Sequence, residues 1–300
     1  MSLRPIVLAL LCTAGCRFAP APLALTLSAS LRATAPGSRQ LTVRKAGVEL
    51  ELSCSAADVA ELGRLGSGFL DAAGRVSRWG SFRGKVQVQV LQDHAALEAA
   101  VGRPGHDWLR AWAYGDLVLL QSPRTWDPKA DPESDAMLEL LTHELTHALM
   151  YQLLEPDDAP YPVPATVTAA LPEEPPLWFR EGMASVTAGQ GNKRLSPQEL
   201  RDWLAAHPGK NPLDPDPELV RTEKEAVYGA AHRAFERLLD LGGDQSVRDV
   251  LRGIRSGARF ADAFAAATGR QASEFEQAAL QSGFAAGLTT RAVHRGAGGP

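Results

Sequence analysis

The chain has 300 residues, of which 45% are hydrophobic and 22% charged, and its formal net charge is −4. This composition is typical of a globular protein with room for one large domain or two modest ones. The acidic balance leaves no basic footprint, so nucleic acid is not an expected partner. Three cysteines, Cys12, Cys16 and Cys54, do not make a disulfide framework.

Residues 1–16 have the order of an export signal. Arg4 provides the positive charge, residues 6–11 form an apolar run too short to span a bilayer, and small residues then lead to Cys16. The segment resembles a bacterial lipoprotein signal, which implies lipidation of Cys16 and a lipid-anchored protein of the bacterial cell envelope. In lipoproteins of this type an Asp after the cysteine indicates retention in the inner membrane, and Arg17 stands there instead, so the resemblance implies the outer membrane, with the protein facing the periplasm or the exterior. The alternative is an ordinary export signal in which Cys16 is incidental.

Residues 17–39 contain Pro, Ala, Ser and Thr without a sustained period and are predicted to form a flexible tether. Hydrophobic periodicity then predicts a small α/β layer. Its predicted elements are a hairpin or two short strands over 41–54, a helix over 56–79, a strand over 85–91, a short helix over 93–101 and a strand pair at 111–114 and 117–121. We expect the edge of the 117–121 strand to be able to bind an extended peptide.

The next predicted helix carries the strongest motif of the chain. Asp131 and Pro132 suit a helix start, and apolar residues then recur at helical spacing. Residues 143–147 read H-E-x-x-H, which puts His143 and His147 on one helix face as two ligands of one zinc ion. Glu144 then stands beside the metal as a general base. The alternative is a solvated face with two unrelated histidines, which the apolar setting disfavours because buried polar groups need partners.

Beyond this helix the chain is predicted to be mainly helical. Residues 155–176 are proline-rich and acidic and predict a long loop of the kind that often serves as a lid or a binding loop. A second helix follows from residue 177 to near Gly189. Three capping-box patterns begin at Ser196, Thr222 and Ser273, each before an apolar stripe.

The third metal ligand decides the class of a zinc site. A histidine six residues after His147 is ruled out because Leu153 stands there. The H-E-x-x-H helix and segment 178–184, in which an aromatic residue precedes E-G-x-A, resemble the gluzincin clan of metallopeptidases, the thermolysin-like group, and especially the small bacterial peptidase MA-like domains. The resemblance implies that Glu181 is the third ligand of a His₂Glu site with an open fourth position. The alternative is that Glu181 is a helix-start acid favoured by the dipole.

The resemblance covers roughly residues 41–285 and implies an α+β fold. A small N-terminal α/β layer with a mixed sheet precedes a mainly helical half, with the zinc cleft between them. We divide the chain into a signal at 1–16, a tether at 17–39, a metallopeptidase domain at 40–288 and a disordered tail at 289–300. Within the domain, 40–154 is the α/β half with the zinc helix and 155–288 is the helical half.

Three further residues are candidates for the site. Ser185 lies one turn after Glu181, where the family often has an acid that hydrogen bonds to a zinc-binding histidine. Tyr228 and His232 share a helix face, and either could donate to the oxyanion that develops as water attacks a carbonyl group. The family often has a tyrosine in this helix. The alternative is a Tyr228 packed in the core and an exposed His232.

These patterns predict a zinc-dependent metallopeptidase that holds one Zn²⁺ per chain and acts on a peptide or protein. Glu144 would take a proton from water and pass it to the leaving amine. The alternative is a catalytically inactive, peptidase-like envelope lipoprotein with a binding or assembly role. A purely structural zinc site needs no base beside an open coordination position, which argues against that alternative.

Overall fold

The computed structural model describes residues 38–45, 48–102, 104–126, 135–155 and 174–284. The predicted signal, Cys16, nearly all of the tether and the tail lie outside these residues. The predicted helix start at 131–134 and most of the 155–176 loop also lie outside them. Within the described ranges no helix has both the length and the apolar character that crossing a membrane requires.

A five-stranded mixed sheet occupies the N-terminal part of the described chain. The strands are β1 (Arg39–Lys45), β2 (Val48–Cys54), β3 (Lys85–Leu91), β4 (Ala111–Tyr114) and β5 (Leu117–Gln121). Their order is β1-β2-β3-β5-β4, with β2, β3 and β5 parallel and the two outer strands antiparallel to their neighbours. We expected the β5 edge to be available to a peptide, and this was wrong. Strand β5 lies between β3 and β4, so the edge strands of the described sheet are β1 and β4.

Nine α-helices surround and follow the sheet in the described ranges. They are α1 (Val59–Val76), α2 (His94–Val101), α3 (Asp135–Leu154), α4 (Leu177–Thr187), α5 (Pro197–Ala206), α6 (Pro217–Thr222), α7 (Lys224–Arg255), α8 (Phe260–Thr268) and α9 (Ala272–Gln281). Helix α7 is bent at Gly243, whose φ of 64° lies in the left-handed region that glycine tolerates. The mixed sheet followed by a mainly helical half confirms the predicted α+β class.

The sheet is covered on both faces, which explains why all five residues of β5 are buried. Leu117 and Leu119 pack with α2 and Leu109 in a small apolar cluster. Val118 and Leu120 point to the other face and join the main core. Helices α1 and α3 form that side of the core, and α3 continues into the helical half by packing against α4 and α7. Helix α3 is therefore the element shared by both halves.

One of the three predicted capping boxes forms. Ser196 accepts a hydrogen bond from the Glu199 amide, and the Glu199 carboxylate accepts one from the Ser196 amide, so α5 begins as predicted. Thr222 instead ends α6, and its hydroxyl donates to the carbonyl oxygen of Glu218. Ser273 lies inside α9, whose N-cap is Gln271. The boxes at Thr222 and Ser273 were therefore wrong.

Candidate metal centre

Helix α3 brings His143 and His147 together. Its apolar side is buried, and its two buried threonines satisfy their hydroxyls within the helix, Thr142 on the Leu138 carbonyl and Thr146 on the Thr142 carbonyl. Because both hydroxyls are paired, this side of the helix can be buried without leaving a threonine hydroxyl unsatisfied. The two imidazole rings then lie one turn apart, with their centroids separated by 4.9 Å.

Helix α4 brings Glu181 to the same place. Phe179 is fully buried between Phe235 and Phe260, at centroid distances of 5.5 and 5.4 Å, and this fixes the rotation of the helix. Gly182 allows α7 to approach, because a Cβ at this position would lie 2.4 Å from the carbonyl oxygen of Ala231. The aromatic residue and the glycine that flank Glu181 in the motif are thus the anchors that set its position.

The three side chains converge at their metal-binding atoms. Nε2 of His143 lies 3.2 Å from Nε2 of His147, and Oε2 of Glu181 lies 3.3 and 3.6 Å from these two nitrogens. A tetrahedral zinc site with bonds of about 2.0 to 2.1 Å has edges of about 3.3 to 3.4 Å. The separations of the three donor atoms therefore match three corners of one such tetrahedron.

The chemistry of the three side chains also suits a metal ion at this point. Burial raises the pKa of Glu181, but the charges of His147 and His143 and their hydrogen bonds outweigh it, so the pKa lies well below its usual range. The carboxylate therefore stays ionised although it is largely buried. Nδ1 of His143 is buried without a hydrogen-bond partner in the described part of the chain. Two imidazoles and one carboxylate form a donor set that suits zinc.

Glu144 lies beside the three ligands and is only 6% exposed. Burial raises the pKa of Glu144 to about 7, the charge of Glu181 adds to this, and His143 and the amide of Ala113 oppose it. Ala113 belongs to β4, so the edge strand contacts the carboxylate directly. A carboxyl group with a pKa near neutrality can both accept and return a proton at physiological pH.

Tyr228 and His232 share a face of α7 but face different surroundings. Tyr228 lines the cavity that contains His143, Glu144 and His147. His232 is 2% exposed, with Nδ1 2.9 Å from the hydroxyl of Ser185 and Nε2 3.3 Å from Glu236. The expected exposure of His232 is therefore wrong, because it is buried in a polar network, and it is not among the residues that line the cavity at the metal centre. Ser185 contacts His232 and Arg194, so its predicted hydrogen bond to a metal-binding histidine does not form in the described structure.

The cavity beside the three ligands has an aromatic wall that the sequence did not indicate. Trp108, Trp112 and Tyr114 contribute to it from β4 and the segment before it, and Tyr151 contributes from α3. Trp108 packs on Tyr228 with a centroid distance of 6.0 Å. These residues carry no motif of their own, and only the position of β4 against α3 brings them to the site.

Comparison with known proteins gives matches at the level of structure alone. No protein-family model matches the sequence, and no curated protein matches it. Legionella pneumophila aminopeptidase A, solved in complex with aspartic acid, aligns with a TM-score of 0.49 and 14% identity over 81% of this chain and 27% of that chain. A substituted two-domain M1 zinc metallopeptidase aligns with TM-scores of 0.44 bound to L-arginine and 0.43 bound to L-tryptophan, at 13% and 14% identity, over 82% of this chain and 51% of that chain. The chain thus spans about a quarter of the first neighbour and about half of the other.

Proposed function

We propose that this chain is a zinc-dependent metallopeptidase with one zinc ion held by His143, His147 and Glu181. The observation that carries the proposal is the spacing of the three donor atoms, at 3.2, 3.3 and 3.6 Å, which fits the edges of a tetrahedral zinc site. Two buried helices supply the donors, so the spacing is maintained by the core. The proposal rests on this geometry and on the sequence motif.

The residues around the site can divide the work of peptide hydrolysis. Zinc, when bound, would supply a Lewis acid that activates water and polarises a carbonyl group. Glu144 would take the proton from the attacking water and return it to the leaving amine, which its pKa of about 7 favours. Tyr228, in the wall of the same cavity, would donate a hydrogen bond to the oxyanion. His232 is too deeply buried for that role.

A substrate chain would lie along β4. This strand is at the edge of the described sheet and pairs with β5 alone, and its four residues all line the cavity at the metal centre. An extended peptide can add to such an edge by main-chain hydrogen bonds. The expected partner is therefore an unfolded or extended segment of a peptide or protein.

Zinc content and turnover test this function together. The full chain and the Glu144→Gln variant are loaded with zinc and assayed by elemental mass spectrometry and on a broad peptide library. One equivalent in both, with turnover lowered by about 100-fold or more in the variant, is expected. Equal turnover would rule out Glu144 as the base. One zinc per chain without cleavage of any peptide would favour the binding or assembly role, and no zinc would overturn the site.

We also propose that Cys16 anchors the protein to the cell envelope through a lipid. The support is the order of residues 1–16, which resembles that of a bacterial lipoprotein signal. Metabolic labelling with a radioactive fatty acid, on the wild type and on Cys16→Ser, tests this. Label in the wild type alone is expected, and export without label would leave an ordinary signal peptide as the interpretation.

A further inference from the structure

A second cavity adjoins the metal centre on the side of α7. It shares His143, Glu144 and Tyr228 with the first cavity, so a ligand could extend from one into the other. Four cationic side chains line it, against the two carboxylates Glu144 and Glu225. The four cations are Arg110, Lys193, Arg194 and Lys224.

Two of these cations are already neutralised. Lys193 forms an ion pair with Glu139, and the ammonium of Lys224 lies 3.6 Å from Glu225. Arg110 and Arg194 pair with no carboxylate among the residues that the structure describes. Arg110 donates to the main-chain carbonyls of Asp107 and Leu109, at 2.8 and 3.1 Å. The cavity therefore keeps an excess of positive charge next to the metal centre.

Arg194 is the better placed of the two arginines. It is partly buried, its Nε donates to the hydroxyl of Ser185 at 3.1 Å, and one terminal nitrogen donates to Oε1 of Gln190 at 2.7 Å. Its guanidinium carbon lies 5.5 Å from the ring centroid of Tyr228. All of its hydrogen-bond partners in the described chain are neutral, and Glu181, Glu139 and Glu225 attract it only at longer range. A partly desolvated cation that no carboxylate contacts is costly, and a ligand carboxylate would offset that cost.

A buried chain of hydrogen bonds holds Arg194 in this orientation. The Ser185 oxygen accepts from Arg194, so its own proton is available to donate to Nδ1 of His232 at 2.9 Å. Nε2 of His232 in turn lies 3.3 Å from Glu236. Ser185 is thus a positioning residue for the arginine, although the sequence suggested a role at the metal.

We propose that Arg194 binds a carboxylate group of the substrate, so that this site prefers peptides with a carboxylate close to the cleaved bond. This rests on the proposed function and names the substrate class. The observations behind it are the shared wall of the two cavities, the neutral partners of Arg194 and its fixed orientation. The carboxylate can belong to an acidic side chain or to the C-terminus of a peptide, since both present the same planar pair of oxygens to a guanidinium.

The two sources are separated with three matched pools of random hexapeptides. The first pool has blocked termini and no acidic residues, the second restores Glu and Asp with the termini still blocked, and the third has a free C-terminus without acidic residues. Wild type and Arg194→Gln, both zinc-loaded, are compared on each pool. Arg252→Gln serves as control, because Arg252 is exposed, pairs with Asp249 and lines neither cavity.

We expect Arg194→Gln to lose about 10-fold to 100-fold in kcat/KM on the second or third pool and to keep its rate on the first. The pool that responds identifies the source of the carboxylate. Ser185→Ala should raise KM on that pool by a smaller factor without a change in kcat, because the arginine loses one of its anchors. Arg194→Lys keeps the charge but loses the planar pair of donors, so its kcat/KM on that pool should lie between those of wild type and Arg194→Gln. If Arg194→Gln does not fold, the comparison of Arg194→Lys with wild type tests the inference instead.

Equal losses on all three pools, or none, would overturn the inference and leave the peptidase function standing. If no pool is cleaved, titration calorimetry of the same pools into zinc-loaded wild type and Arg194→Gln decides it. Tighter binding of a carboxylate pool by the wild type alone supports the role of Arg194 while the peptidase function fails. Equal binding rejects both.

Discussion

Two groups of three metal-ligating side chains lie in the described part of the chain, one made by His143, His147 and Glu181 and the other by His94, Glu98 and Asp107. The distances between ligand atoms do not distinguish the two groups, because in each group these atoms lie within 4.8 Å of one another. Their exposure does, since the side chains of the first group are 11 to 14% exposed, whereas those of His94 and Glu98 are 27% and 20% exposed and Asp107 lies at the surface.

Competition for the ligand atoms separates the groups further. In the second group the Glu98 carboxylate accepts a hydrogen bond from the His106 amide at 2.8 Å, whereas Nε2 of His94, 3.4 Å from Glu98, has no hydrogen-bond partner among the described residues. The group consists of one short helix and the segment after it. In the first group, three donor atoms from two buried helices have one another as neighbours. The first group thus differs from the second by the rigidity of the helices that carry it and by a carboxylate, Glu181, that accepts no competing backbone hydrogen bond in the described structure.

The largest expected effect is on zinc binding, when one carboxylate is removed from each group in turn. Glu181→Ala is expected to weaken zinc binding at least about 100-fold, because a direct ligand is lost. Glu98→Ala should leave the zinc content unchanged. Elemental mass spectrometry and competition with a chelator of known affinity measure both, and equal losses in the two variants would contradict the distinction.

The next test addresses the supports and not the ligands. In Gly182→Ala the new methyl group would lie 2.4 Å from the Ala231 carbonyl oxygen and 2.6 Å from Cβ of Phe235, so α4 must move away from α7. We expect a loss of about 3 kcal/mol in the free energy of unfolding, at the upper end of the overpacking range. Zinc affinity should fall as well, because Glu181 moves with the helix.

Gly74→Ala is the matched control for Gly182→Ala. Gly74 also lies inside a helix, α1, but a Cβ at this position meets nothing within 4 Å. We expect the free energy of unfolding of this variant to rise by about 0.5 to 1 kcal/mol, since alanine loses less backbone entropy on folding than glycine. Urea unfolding of both variants gives the free energies. Destabilisation of both by the same amount would show that the effect is one of helix propensity and not of close approach.

The sequence predicted those parts of the fold that local signals determine. The bounds of β3, α2, β4 and β5 agree with the periodicity, and Asp93 caps α2 as expected. Sheet order was not predictable, because the placement of β5 between β3 and β4 depends on contacts remote in sequence. The two wrong capping boxes have a related cause. The hydroxyl of Thr222 bonds backward into α6, a choice that the four-residue pattern does not contain.

The candidate site likewise has a part that the sequence predicted and a part that it did not. The metal group follows from two helical motifs, because spacing on a helix is local. The environment of Ser185 does not, because the residues that reach it, Arg194 and His232, come from a loop and from α7. A serine within a motif indicates that a small polar group is needed there, and only the packing of three segments determines its partners.

The smallest expected effect concerns a buried carboxylate that needs no metal. Asp58 is fully buried between α1 and the end of β5, and its oxygens accept hydrogen bonds from Ser55, Ser122 and Arg124. Burial raises its pKa, but these hydrogen bonds outweigh it and the net pKa is lowered. Unlike Glu181, Asp58 receives all its partners from the protein, so its contribution to stability should not change when zinc is removed.

The lowered pKa gives this contribution a pH dependence of known sign. The folded state holds the Asp58 proton more weakly than the unfolded chain, whose pKa is about 3.9. The stabilisation is therefore complete above about pH 4 to 5 and is lost as the pH falls through the folded pKa. Asp58→Asn should lower the free energy of unfolding by about 1 to 2 kcal/mol at pH 7. The difference in this free energy between the variant and the wild type should become smaller in acid.

Asp93→Asn provides the control for this measurement. Asp93 accepts the Ala96 amide at the start of α2, where asparagine caps as well as aspartate, so a change below about 0.5 kcal/mol is expected. Urea unfolding at pH 7 and at pH 3.5, with and without a chelator, completes the comparison. A difference between wild type and Asp58→Asn that is constant with pH would mean that the hydrogen-bonding shape and not the charge of Asp58 stabilises the fold. A difference that depends on the chelator would mean that the sheet end and the metal centre are coupled.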